Sequence, residues 1–207
     1  MQFILASQSP QRQNLIKSLP YDWQILPADL DEQAIQFASP QAKARNIALA
    51  KASQISQQLT GDYLIIAADT FSLCRGKILE KPHNKAAARE MLEWQSGQFL
   101  KSLTGYAFWC YQNGHLSQKN GLVTVKAKFR QLTNSEIENY VAHNPVTTWS
   151  AAFSAAYDAG MALISRLDGN LSAFTHGLPL DLVAEFIETN LGVNNKHHRQ
   201  QPNKDSN

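Results

Sequence analysis

The chain has 207 residues, of which 43% are hydrophobic and 17% charged, with a formal net charge of +2, enough for one sizeable domain or one domain of two lobes. Residues 192–207, "GVNNKHHRQQPNKDSN", hold three Lys/Arg and one Asp, so the rest of the chain is neutral, which argues against duplex nucleic acid or an anionic membrane as partner. Cys74 and Cys110 make no disulfide framework, "MQFILAS" lacks the basic start of a signal peptide, and no apolar run approaches a membrane span, so a cytoplasmic protein with reduced thiols is expected.

In chain order, "FILA" reads as a short buried strand, and "SPQRQNLIKSL" opens a helix with Ser9 as N-cap and Pro10 in its first turn. "DWQILPADLDE" is a strand ending in an acidic turn, and "SPQAKARNIALAKASQISQQL" a helix of about five turns. "DYLIIAADTFSLC" is the strongest strand, turned back by "RGK" into "ILEKP". "NKAAAREMLEWQSG" is a helix stopped at Gly97. "FLKSLTGYAFWCYQ" and "GLVTVKAKFRQL" are long strands joined through "NGHLSQKNG" as a hairpin. "TNSEIENYVAH" is a capped helix and "LPLDLVAEFIETNLG" the closing amphipathic one, while "TWSAAFSAAYDAGMALISRLDG" is small-residue-rich and irregular. Strands and helices alternate early and strands pair later, so an α/β or α+β fold about one mixed sheet is expected. Residues 1–191 form one domain, and residues 192–207 read as a solvated, disordered tail in which the His197–His198 pair could bind a metal.

Several positions carry chemistry. Arg12 falls in the first turn of a helix, where the macrodipole opposes a cation by a few tenths to about 1 kcal/mol. Free N–H groups at a helix start, the Ser7 and Ser9 hydroxyls and a guanidinium together suit a phosphate, although an ordinary cap beside an exposed arginine reads the same. Lys51 lies on one helical face with Ala44, Ile47, Ala48, Ala52, Ile55 and Leu59, where a lysine must snorkel, pair or point into a cavity. Asp69 follows the apolar "YLIIAA". A carboxylate leaving a strand's carboxyl end is placed for a metal or for general-base work, or Asp69 and Thr70 simply satisfy a turn. Lys81 returns after a hairpin-length excursion to the same edge, and one of Asp29, Asp31 and Glu32 could share a cation with Asp69. The P-loop, the dinucleotide G-x-G-x-x-G, the G-x-S-x-G elbow and zinc-type Cys/His spacing are absent from the sequence. What remains fits a polyphosphate held by cations and cleaved with metal help.

The motifs together resemble the Maf family of nucleoside triphosphate pyrophosphatases. "LASQSPQRQNLI" is similar to its L-A-S-x-S-P-R-R-x-E-L-L opening and "ALAKA" to A-x-E-K-A. "IIAADT" is similar to G-A-D-T, "ILEKPHNKAAAREMLEWQSGQ" to its I-L-x-K-P segment, "FRQLTNSEIENYV" to F-R-x-L-x-x-x-E-I-x-x-Y-V, and "RLDG…GLPLDLVAEFI" to its closing strand and helix. The likeness covers nearly all of residues 3–191. It implies a two-lobed α/β fold like that of inosine triphosphatases, with a central cleft, often a homodimer. The implied reaction is Mg²⁺- or Mn²⁺-dependent hydrolysis of a nucleoside triphosphate to monophosphate and pyrophosphate. Substrates in the family are modified nucleotides, 7-methyl-GTP, dTTP or UTP, and the family is also linked to inhibition of septum formation. The alternative reading is a catalytically weak, nucleotide-binding regulator of cell division.

Carried over by position, Ser7, Arg12, Glu32, Lys51, Asp69 and Lys81 would be the phosphate and metal residues, with Asp69 and Glu32 on the metal and Asp69, Lys51 and Lys81 catalytic. Ser9, Gln11 and Thr70 complete the expected binding set. Gln11 stands where the family has arginine, or tryptophan in the 7-methyl-GTP branch. Gln13, Ala50 and Ala67 depart from the motifs, and Thr70 agrees with the dTTP/UTP branch. The specificity Gln/Glu segment has become "SAAFSAAYDAG", with Ala156, Tyr157 or Asp158 near that position. "NGHLSQ" and "RLDG" stand nearer the 7-methyl-GTP branch.

Overall fold

The computed structural model describes residues 1–192 apart from Gln33 and Gln36, and the side chain of Asp158 is also left out. The expected tail beyond Gly192, with His197–His198, lies outside the described residues. The strands are β1 (Gln2–Leu5), β2 (Trp23–Ile25), β3 (Tyr63–Cys74), β4 (Lys77–Leu79), β5 (Phe99–Gln112), β6 (His115–Phe129) and β7 (Ile164–Asp168). The helices are α1 (Pro10–Ile16), α2 (Pro40–Ser56), α3 (Lys85–Gln95), α4 (Asn134–His143), α5 (Asp158–Met161), α6 (Leu171–His176) and α7 (Leu180–Leu191). All strands join one mixed sheet in the order β2-β1-β3-β5-β6-β7, with β4 also on β3. The α/β mixed-sheet expectation is therefore met, and among the described residues no helix is long and apolar enough to cross a membrane.

β3 organises the molecule. Its side chains alternate between two cores: Tyr63, Ile65 and Ala67 face α2, with Ala48, Ala52 and Ile55. Leu64, Ile66 and Ala68 face α1 and α7, with Ile16, Val183, Phe186 and Ile187. Because both faces are covered, the strand reads as an unbroken apolar run rather than an alternation. A third core packs α3 and α4 against Leu100 and Phe129 at the far end of the β5–β6 ribbon. Close packing of α2 on the sheet depends on small residues. A Cβ on Gly105 of β5 would lie 2.2 Å from the Ala44 carbonyl carbon.

Two local readings are corrected. The β5–β6 connection is not the nine-residue "NGHLSQKNG" but a two-residue turn at Asn113 and Gly114, both with positive φ (51° and 80°). An Asn-Gly pair meets the left-handed demand of a tight hairpin, so "HLSQKN" belongs to β6, paired from His115 onward with Gln112. Nor does Asp69 stand beyond the end of a strand. β3 runs five residues further, and Asp69 pairs with Gly105 in the ladder. The opening arises on the other edge, where β1 covers only residues 63–66 and β4 only residues 72–74. Between them the edge of β3 faces a gap in the sheet.

Candidate active site

The gap opens into a cleft of about 600 Å³. Strand alternation sets which partner each β3 residue meets there. Asp69 continues the series that faces α2, and its Oδ1 accepts a hydrogen bond from Lys51 Nζ at 2.8 Å. Lys51 shares the buried face of α2 with Ala48, Ala52 and Ile55 and lines the cleft. The same Nζ lies 2.8 Å from Glu32 Oε1. The lysine and aspartate side chains are only 13% and 12% exposed, that of Glu32 43%.

Thr70, one residue on, faces the opposite side and meets Arg12. The guanidinium donates to Thr70 Oγ1 (Nη2, 2.9 Å), to the Gly177 carbonyl (Nε, 2.9 Å) and to Ser7 Oγ (Nη1, 3.3 Å). Thr104 backs Thr70, the two hydroxyl oxygens being 3.1 Å apart. Burial pulls the Arg12 pKa below its ordinary value, and the charges of Asp69 and Glu32 oppose that shift. Arginine stays charged in such a setting. A cation in a helix's first turn is thus held without an anion, by neutral acceptors from three segments, while bordering the cleft.

Ser9 caps α1 as expected, accepting from Arg12 N at 3.5 Å and donating to Gln11 Oε1 at 3.0 Å. Gln11 and Ser9 both line the cleft. Lys81 also lines it, from an exposed position after β4, and no ion pair holds it among the described residues. Ser7, Ser9, Gln11, Arg12, Glu32, Lys51, Asp69, Thr70 and Lys81 therefore all border this one cleft, whereas Asp31 of the acidic cluster does not line it.

The sequence reading passed over Gly177, Thr104 and Trp149, and marked the segment that carries Phe153 only as a specificity region. Gly177 ends α6 in the left-handed region (φ 66°), and a Cβ there would sit 2.8 Å from Thr70 Oγ1 and 3.0 Å from Arg12 Nη2. The glycine between His176 and Leu178 was the available signal, as a helix stop. Gly177→Ala is expected to dislodge Arg12 from Thr70, lowering stability by about 1–2 kcal/mol in urea denaturation.

Opposite the cations, Phe153, Ser154 and Ala155 line the cleft. Tyr157 turns aside to stack on Trp149, ring centroids 5.2 Å apart. The backbone before them is left-handed at Ala151 and Ala152 (φ 61° and 55°). It is held there by Ala151 N–H on the Glu80 carbonyl (3.1 Å) and Gln95 Nε2 on the Ala151 carbonyl (2.8 Å). Alanine in that region is strained by about 1 kcal/mol. Ala151→Gly should therefore raise stability by about 0.5–1 kcal/mol, measured by chemical denaturation.

A buried arginine, a lysine shared by two carboxylates and a free lysine around one polar cleft define a site for a polyanion. The profile of the Maf-like protein family matches residues 2–190, and the chain belongs to that family. It is 34% identical over 185 residues to the dTTP/UTP pyrophosphatase of Lacticaseibacillus casei (strain BL23), covering 89% of this chain and 96% of that one. It is 34% identical over 184 residues to the dTTP/UTP pyrophosphatase of Moorella thermoacetica (strain ATCC 39073 / JCM 9320), with coverage of 89% and 92%. It is 32% identical over 188 residues to the 7-methyl-GTP pyrophosphatase of Vibrio vulnificus (strain CMCP6), with coverage of 89% and 94%.

Proposed function

We propose that the chain is a nucleoside triphosphate pyrophosphatase that hydrolyses the bond between the α- and β-phosphates, with a substrate of the dTTP/UTP or the 7-methyl-GTP kind. The observation that carries this reading is the Lys51 ammonium shared by Asp69 and Glu32 in a cleft also bordered by Arg12 and Lys81. Family membership and the names of the relatives support it.

In this mechanism Lys81 and the remaining Arg12 donors receive the triphosphate. Asp69 accepts a proton from a water whose oxygen bonds to the α-phosphorus. The bond from that phosphorus to the bridging oxygen breaks, and the electron pair leaves with pyrophosphate, whose charge the cations absorb. Arg12 is anchored by three protein acceptors, so it acts as a fixed charge that needs no reorganisation. Asp69 and Glu32 would hold Mg²⁺ or Mn²⁺. Their two oxygens lie within 2.8 Å of one point in the cleft, and such ions bind through one or two carboxylates, with water and substrate phosphates completing the shell. When bound, the ion would supply Lewis-acid stabilisation of the phosphate oxygens and lower the pKa of the attacking water. Two carboxylate oxygens are donors that suit magnesium or manganese better than zinc.

The test is a panel of dTTP, UTP, 7-methyl-GTP and inosine triphosphate with Mg²⁺ or Mn²⁺, assayed separately for pyrophosphate and orthophosphate. Pyrophosphate from at least one of them is expected. Orthophosphate alone, or no turnover on any, overturns the reading. Tight nucleotide binding without hydrolysis would favour the regulator of cell division instead.

A further inference from the structure

We infer that Lys51 is an internal substitute for the metal: its ammonium occupies the point between Asp69 and Glu32 where a divalent ion would sit, so that the ion enters only when a nucleotide draws the lysine away. This rests on the reading of those two carboxylates as the metal site.

The two cations deepest in the cleft are held differently. Arg12 is bound by a carbonyl and two hydroxyls, none of which a metal or phosphate would claim first. Lys51 is bound by two carboxylates at 2.8 Å each, the same oxygens a hard divalent cation prefers. The lysine cannot simply withdraw into solvent. Its side chain is only 13% exposed, and its helical neighbours Ala48, Ala52 and Ile55 are 0–1% exposed. Its tip borders the cleft.

Charge then sets the order of events. With the ammonium in place, two carboxylates and one cation leave a weak net attraction for a divalent ion, and the like charge at the coordination point repels it. A triphosphate entering past Lys81, which lines the same cleft and carries no ion pair among the described residues, offers the ammonium a stronger anion. Once Lys51 turns to the phosphates, both carboxylates are freed beside those phosphates, and the ion meets ligands from protein and substrate together. Lys51 thereby prevents unproductive metal loading and keeps Asp69 from standing as an unpaired, mostly buried carboxylate.

The experiment measures Mn²⁺ binding to the full chain without nucleotide, from the loss of the free-ion electron paramagnetic resonance signal. The full chain is compared with Lys51→Met, Lys51→Gln and Lys51→Arg. Removing the positive charge is expected to tighten Mn²⁺ binding by about tenfold or more, whereas Lys51→Arg stays weak. Asp69→Asn in the Lys51→Met background should abolish the gain. Lys51→Gln keeps a polar tip and serves if the methionine variant does not fold. Unchanged or weaker Mn²⁺ binding in the neutral variants overturns the inference, and so does a gain that survives Asp69→Asn. The mechanistic reading fails separately, if the wild-type chain releases no pyrophosphate or releases it equally well without a divalent ion.

Discussion

Asp69→Asn is expected to lower the rate of pyrophosphate release by about a thousandfold or more, with little change in fold. The substitution keeps size and hydrogen-bonding capacity but removes both the proposed proton acceptor and one of the two carboxylates proposed to hold the metal. General-base loss alone is worth about 10²–10⁴ in rate. Stability should fall far less, because Lys51 keeps Glu32 as a partner at 2.8 Å and the backbone of residue 69 stays in register with Gly105. Steady-state kinetics alongside a thermal melt separates the two effects. Turnover within tenfold of wild type would remove Asp69 from the chemistry.

Gly105→Ala should lower stability by more than Gly177→Ala. The new Cβ would lie 2.2 Å from the Ala44 carbonyl carbon and oxygen and 2.5 Å from Arg45 N. These are backbone atoms of α2, which cannot rotate aside as a side chain could. The helix or the strand must shift, at a cost of about 3–5 kcal/mol, seen as a melting temperature lower by roughly 10 °C or more. Activity should fall with it, because Gly105 is the ladder partner of Asp69 and α2 carries Lys51. A variant melting within about 2 °C of wild type would show that α2 is not seated as described.

Much of this arrangement is legible in the residues. The apolar run of β3 and the small-residue face of α2 announce themselves because each is a local pattern. The Thr133–Glu136 capping box of α4 is equally local. The β6 start is hidden because "HLSQKN" is polar, and its strand character comes from its β5 partner rather than from its own composition. The six-residue α6 is too short to show a period. At the site, the types and spacing of Arg12, Lys51, Asp69 and Lys81 suffice to suggest an anion site. The acceptors that hold Arg12 do not show, since two are main-chain or hydroxyl groups distant in sequence: Gly177 O and Thr70 Oγ1. The run "DYLIIAADTFSLC" already holds Asp69 inside a strand; what composition could not reveal is the open edge beside it, because that depends on where β1 stops pairing.

The missing neighbours of β3 between residues 66 and 72 have a bearing on how such a protein could diversify. The width of the opening is dictated by main-chain pairing on either side, so exchanging the residues that overhang it need not move the acidic group at its base. Divergent rims on a constant frame would let one architecture accept chemically different guests.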